Sequence, residues 1–99
     1  MTSLLDVFQE IKEKDLNKDQ LEDYHQKLCE LRGEMRLELA DKTKARAMFM
    51  LNDIETSVAQ RKINWQGTKE GQREIELKAY IGATSDNINA LKSRLYSTY

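Results

Sequence analysis

The sequence predicts an all-α protein, on three observations. Its 99 residues contain no proline, 33% charged residues are mixed with 39% hydrophobic ones, and apolar positions recur every three or four residues along most of the chain. The expected architecture is a short N-terminal helix, one long helix and an antiparallel C-terminal helix, forming an elongated helical hairpin or bundle. Helices are expected over about 3–14, 18–65 and 69–97. The length allows one domain, 1–99, near the lower end of what buries a self-sufficient core, so support from a partner or a second copy is expected.

Leu4, Leu5, Phe8 and Ile11 define the first helix, with Ser3 placed to cap its start and the run ending in Lys14-Asp15-Leu16-Asn17. Asn17 and Gln20 then have capping-box spacing. From there a stripe runs through Leu21, Tyr24, Leu28, Leu31, Met35, Leu39, Thr43, Ala47, Leu51, Ile54 and Val58 to Trp65, with one vacant turn at Lys62. Leu21 to Trp65 is 44 residues in 12 steps, about 3.67 per step, which suits one nearly straight helix roughly 70 Å long. Gly33 lies in this run without shifting its phase; the alternative is a break near Gly33 or Asp41-Lys42-Thr43.

The turn is expected in NWQGTKEGQRE, residues 64–74. Gly67 suits a left-handed helix end, Thr68 can cap the next helix, Glu70 favours its N-terminal dipole, and Gly71 permits close backbone approach. Trp65 either closes the hairpin core or stands exposed as a partner anchor. In the last helix Leu77, Ile81, Thr84, Ile88, Leu91, Leu95 and Thr98 alternate steps of four and three. Gly82 and Thr84-Ser85-Asp86-Asn87 are its weak point.

Charge excludes some functions. Sixteen basic and seventeen acidic residues leave −1, with no global field to attract nucleic acid or to mimic it. Residues 1–32 carry five basic and eight acidic side chains, and 33–66 carry six and five. Scattered basic residues on the long helix, Arg32, Arg36, Lys42, Arg46, Arg61 and Lys62, are the candidate nucleic-acid contacts of a secondary reading; interleaved acids and the lack of an aromatic series weigh against it.

His25 and Cys29 share a helix face but make only half a zinc site, completed at best by a symmetric dimer, so no metal is expected. No phosphate loop or nucleophile–base pair is recognisable, so neither catalysis nor a cofactor is expected. One cysteine, no signal peptide and no run of roughly 20 apolar residues point to the cytoplasm and away from membranes.

Two features suggest partners. Ala47-Met48-Phe49-Met50-Leu51 is apolar all round, so Met48, Phe49 and Met50 serve either the core or an intermolecular contact. A last helix of roughly 30 residues reaches only to about Gly33-Met35, which leaves Leu21, Tyr24, Leu28 and Leu31 to the first helix or to another chain. A homodimer or higher oligomer through this half is therefore expected.

The pattern W-x-G-T-x-E-G-x-R-x-x-E, carried by Trp65, Gly67, Thr68, Glu70, Gly71, Arg73 and Glu76 and followed by a leucine-rich helix, resembles small helical accessory proteins of bacteriophages of Gram-positive bacteria. The resemblance covers the C-terminal third. It implies a non-enzymatic protein of the host cytoplasm that binds and inhibits or redirects another protein, including components of host defence. The alternatives are an accessory factor for phage recombination or replication that touches nucleic acid, and a structural coiled-coil assembly protein.

Overall fold

The computed structural model describes residues 4–13, 15–52 and 55–98. All of its regular structure is helical: α1 (Leu4–Glu13), α2 (Lys18–Asn52), α3 (Val58–Gln66) and α4 (Lys69–Thr98). The all-α class and the packing of α2 with the C-terminal helix agree with the sequence. The single helix expected over 18–65 is instead two. α2 passes through Gly33 and Asp41-Lys42-Thr43 and ends at Asn52, and the chain restarts at Ser57, whose hydroxyl accepts from the Gln60 amide at 3.2 Å as an N-cap. Ser3, Lys14 and Ile54 lie outside the described residues, as does the side chain of Thr98.

The chain divides into two compact units: Met1–Arg32 with Ala83–Tyr99, and Gly33–Gly82. In the first, α1, the start of α2 and the end of α4 enclose an apolar core of Phe8, Ile11, Leu21, Leu28, Ile88 and Leu91. Leu4, Val7, Leu16, Tyr24, Cys29, Ala83 and Leu95 pack around it. Leu5, assigned to the inner face from its spacing, is exposed; Val7 takes that role. Asn17 and Gln20 form the expected reciprocal box, each side chain meeting the other's backbone N–H at 3.0 and 2.9 Å.

Polar contacts bind the same elements. The Tyr24 hydroxyl donates to Glu10 at 2.6 Å, and this bond, with burial and nearby acids, pushes the phenol above its ordinary range. Arg94 donates to the Ile11 carbonyl near the end of α1 at 2.9 Å, satisfying a backbone acceptor that the helix leaves unpaired. Arg32 reaches Ser85 at 3.2 Å. α4 continues through its polar middle, where the Asn87 amide donates back to the Ala83 carbonyl at 2.8 Å. Its expected seam is observed: Leu77, Thr84, Ile88 and Leu91 are buried and Ile81 and Leu95 half-buried. The Thr84 hydroxyl is buried there without a partner among the described residues.

The length argument for a dimer loses its premise here. Leu21 and Leu28 are covered within the chain by α1 and α4, and Tyr24 is half-buried against that core. Two antiparallel pairs in the second unit, Glu38 with Arg73 and Lys42 with Glu70, show why α4 reaches so far. α4 starts opposite Lys42, ten residues before the end of α2, because α3 packs against that end through Arg61 on Met50 and Trp65 on Phe49.

Candidate functional site

The second unit is organised around a charge. Glu74 on α4 is 4% exposed, and a buried carboxylate is tolerated only where donors replace water. Trp65 Nε1 donates to its Oε1 at 3.1 Å and Thr43 Oγ1 to its Oε2 at 3.4 Å, while Arg46 Nε stands 3.6 Å from Oε2. Trp65 is 3% exposed and meets Phe49 ring to ring at 5.4 Å with a 55° tilt, a favourable aromatic geometry. It closes this unit's interior, so the exposed-anchor alternative for Trp65 fails.

The α3–α4 turn is held by residues of the W-x-G-T-x-E-G-x-R-x-x-E pattern. Thr68 Oγ1 donates to the Trp65 carbonyl at 2.6 Å and accepts from the Gly71 amide at 2.9 Å. A Cβ on Gly71 would lie 1.9 Å from the Trp65 carbonyl oxygen, so only glycine lets α3 and α4 approach this closely. Gly67 has φ −78° and ψ −11°, right-handed rather than the expected left-handed end, and a Cβ there meets only ordinary contacts. Arg73 clasps Glu38 with two bonds, 2.6 and 2.9 Å, and also holds Glu76. The clasp pulls the Glu38 carboxyl below its ordinary range and pushes Arg73 further up. With Glu70, which stands 4.0 Å from Lys42, six of the seven pattern residues therefore have a folding role.

The basic residues singled out from sequence separate. Arg61 donates to the Met50 carbonyl, one of the last acceptors of α2. Lys42 stands 4.0 Å from Glu70, Arg36 is exposed, and Arg32 belongs to the other unit. Arg46 and Lys62 come together, joined by Lys78, which spacing along the long helix had no means of finding. With Gln66, Trp65, Glu74 and Ile75 they line a cleft of about 210 Å³ at the meeting of α2, α3 and α4.

The apolar candidates divide as well. Met48 is 59% exposed and Leu51 73%, whereas Phe49 and Met50 are half-buried. Six large apolar side chains of this unit stand exposed among the described residues: Leu37, Met48, Leu51, Val58, Ile63 and Ile75. Leu31, in the first unit, is 36% exposed. His25 Nε2 and Cys29 Sγ are 4.0 Å apart, and no group of three or more metal-ligating side chains occurs among the described residues. None of the described helices is long and apolar enough to cross a membrane.

Fold and site together define the class: an all-α chain whose second unit presents a basic cleft and outward apolar residues. No protein-family model matches the sequence, and neither curated proteins nor solved structures give a significant match.

Proposed function

We propose that this chain is a protein-binding module whose contact surface lies on the second unit, centred on Met48 and Leu51. The observation that carries the reading is the apolar imbalance of that unit. Among the described residues it buries two large hydrophobic side chains, Trp65 and Leu77, and leaves six exposed. Apolar surface left in water is stabilised when a partner covers it, at about 25 cal/mol per Å². Met48 and Leu51 are three apart on α2, so they form one outward ridge, and methionine adapts to varied contours.

A module of this kind acts by occupying a surface of another protein. That is the mode expected of the phage accessory proteins that the C-terminal third resembles, inhibitors of host defence among them. Self-association through the same ridge is the form the reading takes if the partner is a second copy.

The test is a tagged pull-down from bacterial lysate with and without nuclease, comparing the native chain with Met48→Asp/Leu51→Asp, with light scattering of both across a concentration series. A stoichiometric protein, or a second copy, retained through nuclease and high salt by the native chain and lost by the variant supports the reading. Equal capture by the two chains, or capture that disappears with nuclease, overturns it.

A further inference from the structure

We infer that the cleft between α2, α3 and α4 is the docking point for an acidic amphipathic helix of the partner, whose carboxylates meet Arg46, Lys62 and Lys78. This rests on the reading of the second unit as a protein-binding surface.

Three cationic side chains reach the cleft from three different helices. Among the described residues Glu74 is the only acid lining it, and its oxygens are already engaged by Trp65, Thr43 and Arg46. Lys62 and Lys78 have no ion-pair partner among the described residues. Like charges gathered at a concave, partly apolar place repel one another more than they would on an open surface, and an arriving anion relieves that repulsion.

The lining selects among anions. Ile75 is 48% exposed beside the lysines, so the ligand that fits carries aliphatic groups next to its carboxylates, as one face of an amphipathic helix does. Trp65 offers no open ring face, being 3% exposed, which removes the stacking platform that single-stranded nucleic acid uses. About 210 Å³ is below the usual range of a small-molecule site but accommodates side chains projected from a helix.

Trp65, the sole tryptophan, lines the cleft and reports on its occupancy. The experiment titrates the full chain with a synthetic peptide bearing one glutamate face and one leucine face, following tryptophan emission. Inorganic phosphate and oligothymidylate are run in parallel. The expected result is saturable peptide binding, weakened by salt, that falls about tenfold or more in Lys62→Gln/Lys78→Gln while circular dichroism is unchanged. Unchanged affinity in that variant, no binding to the native chain, or tighter binding of oligothymidylate or phosphate overturns the proposal. If the variant loses helicity, the single changes Lys62→Gln and Lys78→Gln carry the test by the same criterion. The pull-down separates the two ideas. Capture lost in Met48→Asp/Leu51→Asp but kept in Lys62→Gln/Lys78→Gln leaves the binding surface standing and removes the cleft.

Discussion

The two units use α2 and α4 in common but are held together by different physics. The first buries six large hydrophobic residues from three segments, a non-directional core that tolerates side-chain swaps of equal volume. Among the described residues the second has only Trp65 and Leu77 as large buried hydrophobic residues, and it depends on directed bonds: Glu74 with three donors, Arg73 clasping Glu38, and Arg61 on the end of α2. Packing of the first kind is sensitive to volume, whereas a hydrogen-bonded interior is sensitive to chemistry and geometry. The unit with the poorer core also leaves more apolar residues outside, six against Leu5, Leu31 and Tyr96 in the first among the described residues, and this imbalance is what supports the proposed binding surface there.

The largest effect that would test this contrast comes from a single methyl group. Gly71→Ala places a carbon where the Trp65 carbonyl stands, and backbone on both sides has to separate. A loss of about 3 kcal/mol or more is expected, with the shift seen first in tryptophan emission. Gly67→Ala, four residues earlier and with no contact closer than 3.4 Å, is expected to leave stability within about 0.5 kcal/mol. Equal melting temperatures for the two variants would remove the close approach as the basis of the turn.

Next in size are truncations at the two centres. Leu28→Ala opens a void in the apolar core and is expected to cost about 3 kcal/mol. Glu74→Ala strands the Trp65 indole N–H and leaves Arg46 without its carboxylate, at about 2 kcal/mol. Chemical denaturation measures both. Glu74→Gln sharpens the point, because it keeps an acceptor for the indole and should recover part of the loss. If Glu74→Leu were as stable as the native chain, the second unit would be an ordinary hydrophobic core after all.

The smallest expected effect is acid sensitivity. Glu38 is held below its ordinary pKa by Arg73 when folded, so its contribution is complete above the ordinary carboxylate range and is lost as pH falls through the lowered folded value. Arg73 is pushed upward and stays charged throughout, so no alkaline counterpart arises. Thermal melts across the acid range should show a decline that is shallower in Glu38→Gln. Parallel curves would mean that the clasp, exposed at both ends, is fully screened.

Much of this was legible in the chain. The Asn17–Gln20 box, the α4 seam and the closeness required at Gly71 all follow from local chemistry, and each is present. The interruption before α3 carried the same kind of signal, Ser57 with Gln60 three residues on, but the apolar stripe bridges it through Ile54 and Val58 and conceals it. Beyond Leu39 the stripe also runs out of phase, by one residue at Lys42 and Arg46 and by two at Phe49. Lys42, Arg46 and Phe49 are half-buried where Thr43, Ala47 and Leu51 were expected, so Leu21 to Phe49 advances 28 residues in eight steps, 3.5 rather than 3.67. Periodicity of apolar residues cannot find a helix face whose inward positions are charged. For the same reason neither Glu74 nor the gathering of Arg46, Lys62 and Lys78 was visible: their partners lie on other helices, and no spacing within one helix encodes them.

The division of the chain has a consequence for its synthesis. The second unit is one uninterrupted stretch, Gly33–Gly82, whereas the first is assembled from segments on either side of it, with Arg94 meeting Ile11. On the ribosome the polar, bond-directed unit can therefore complete itself first. The hydrophobic residues of α1 and early α2 must wait, exposed, until the end of α4 emerges to cover them. The best-packed part of the mature molecule is thus the part most in need of protection while it is being made, and chaperone dependence during translation should follow Phe8, Ile11 and Leu21 rather than the thinly packed second unit.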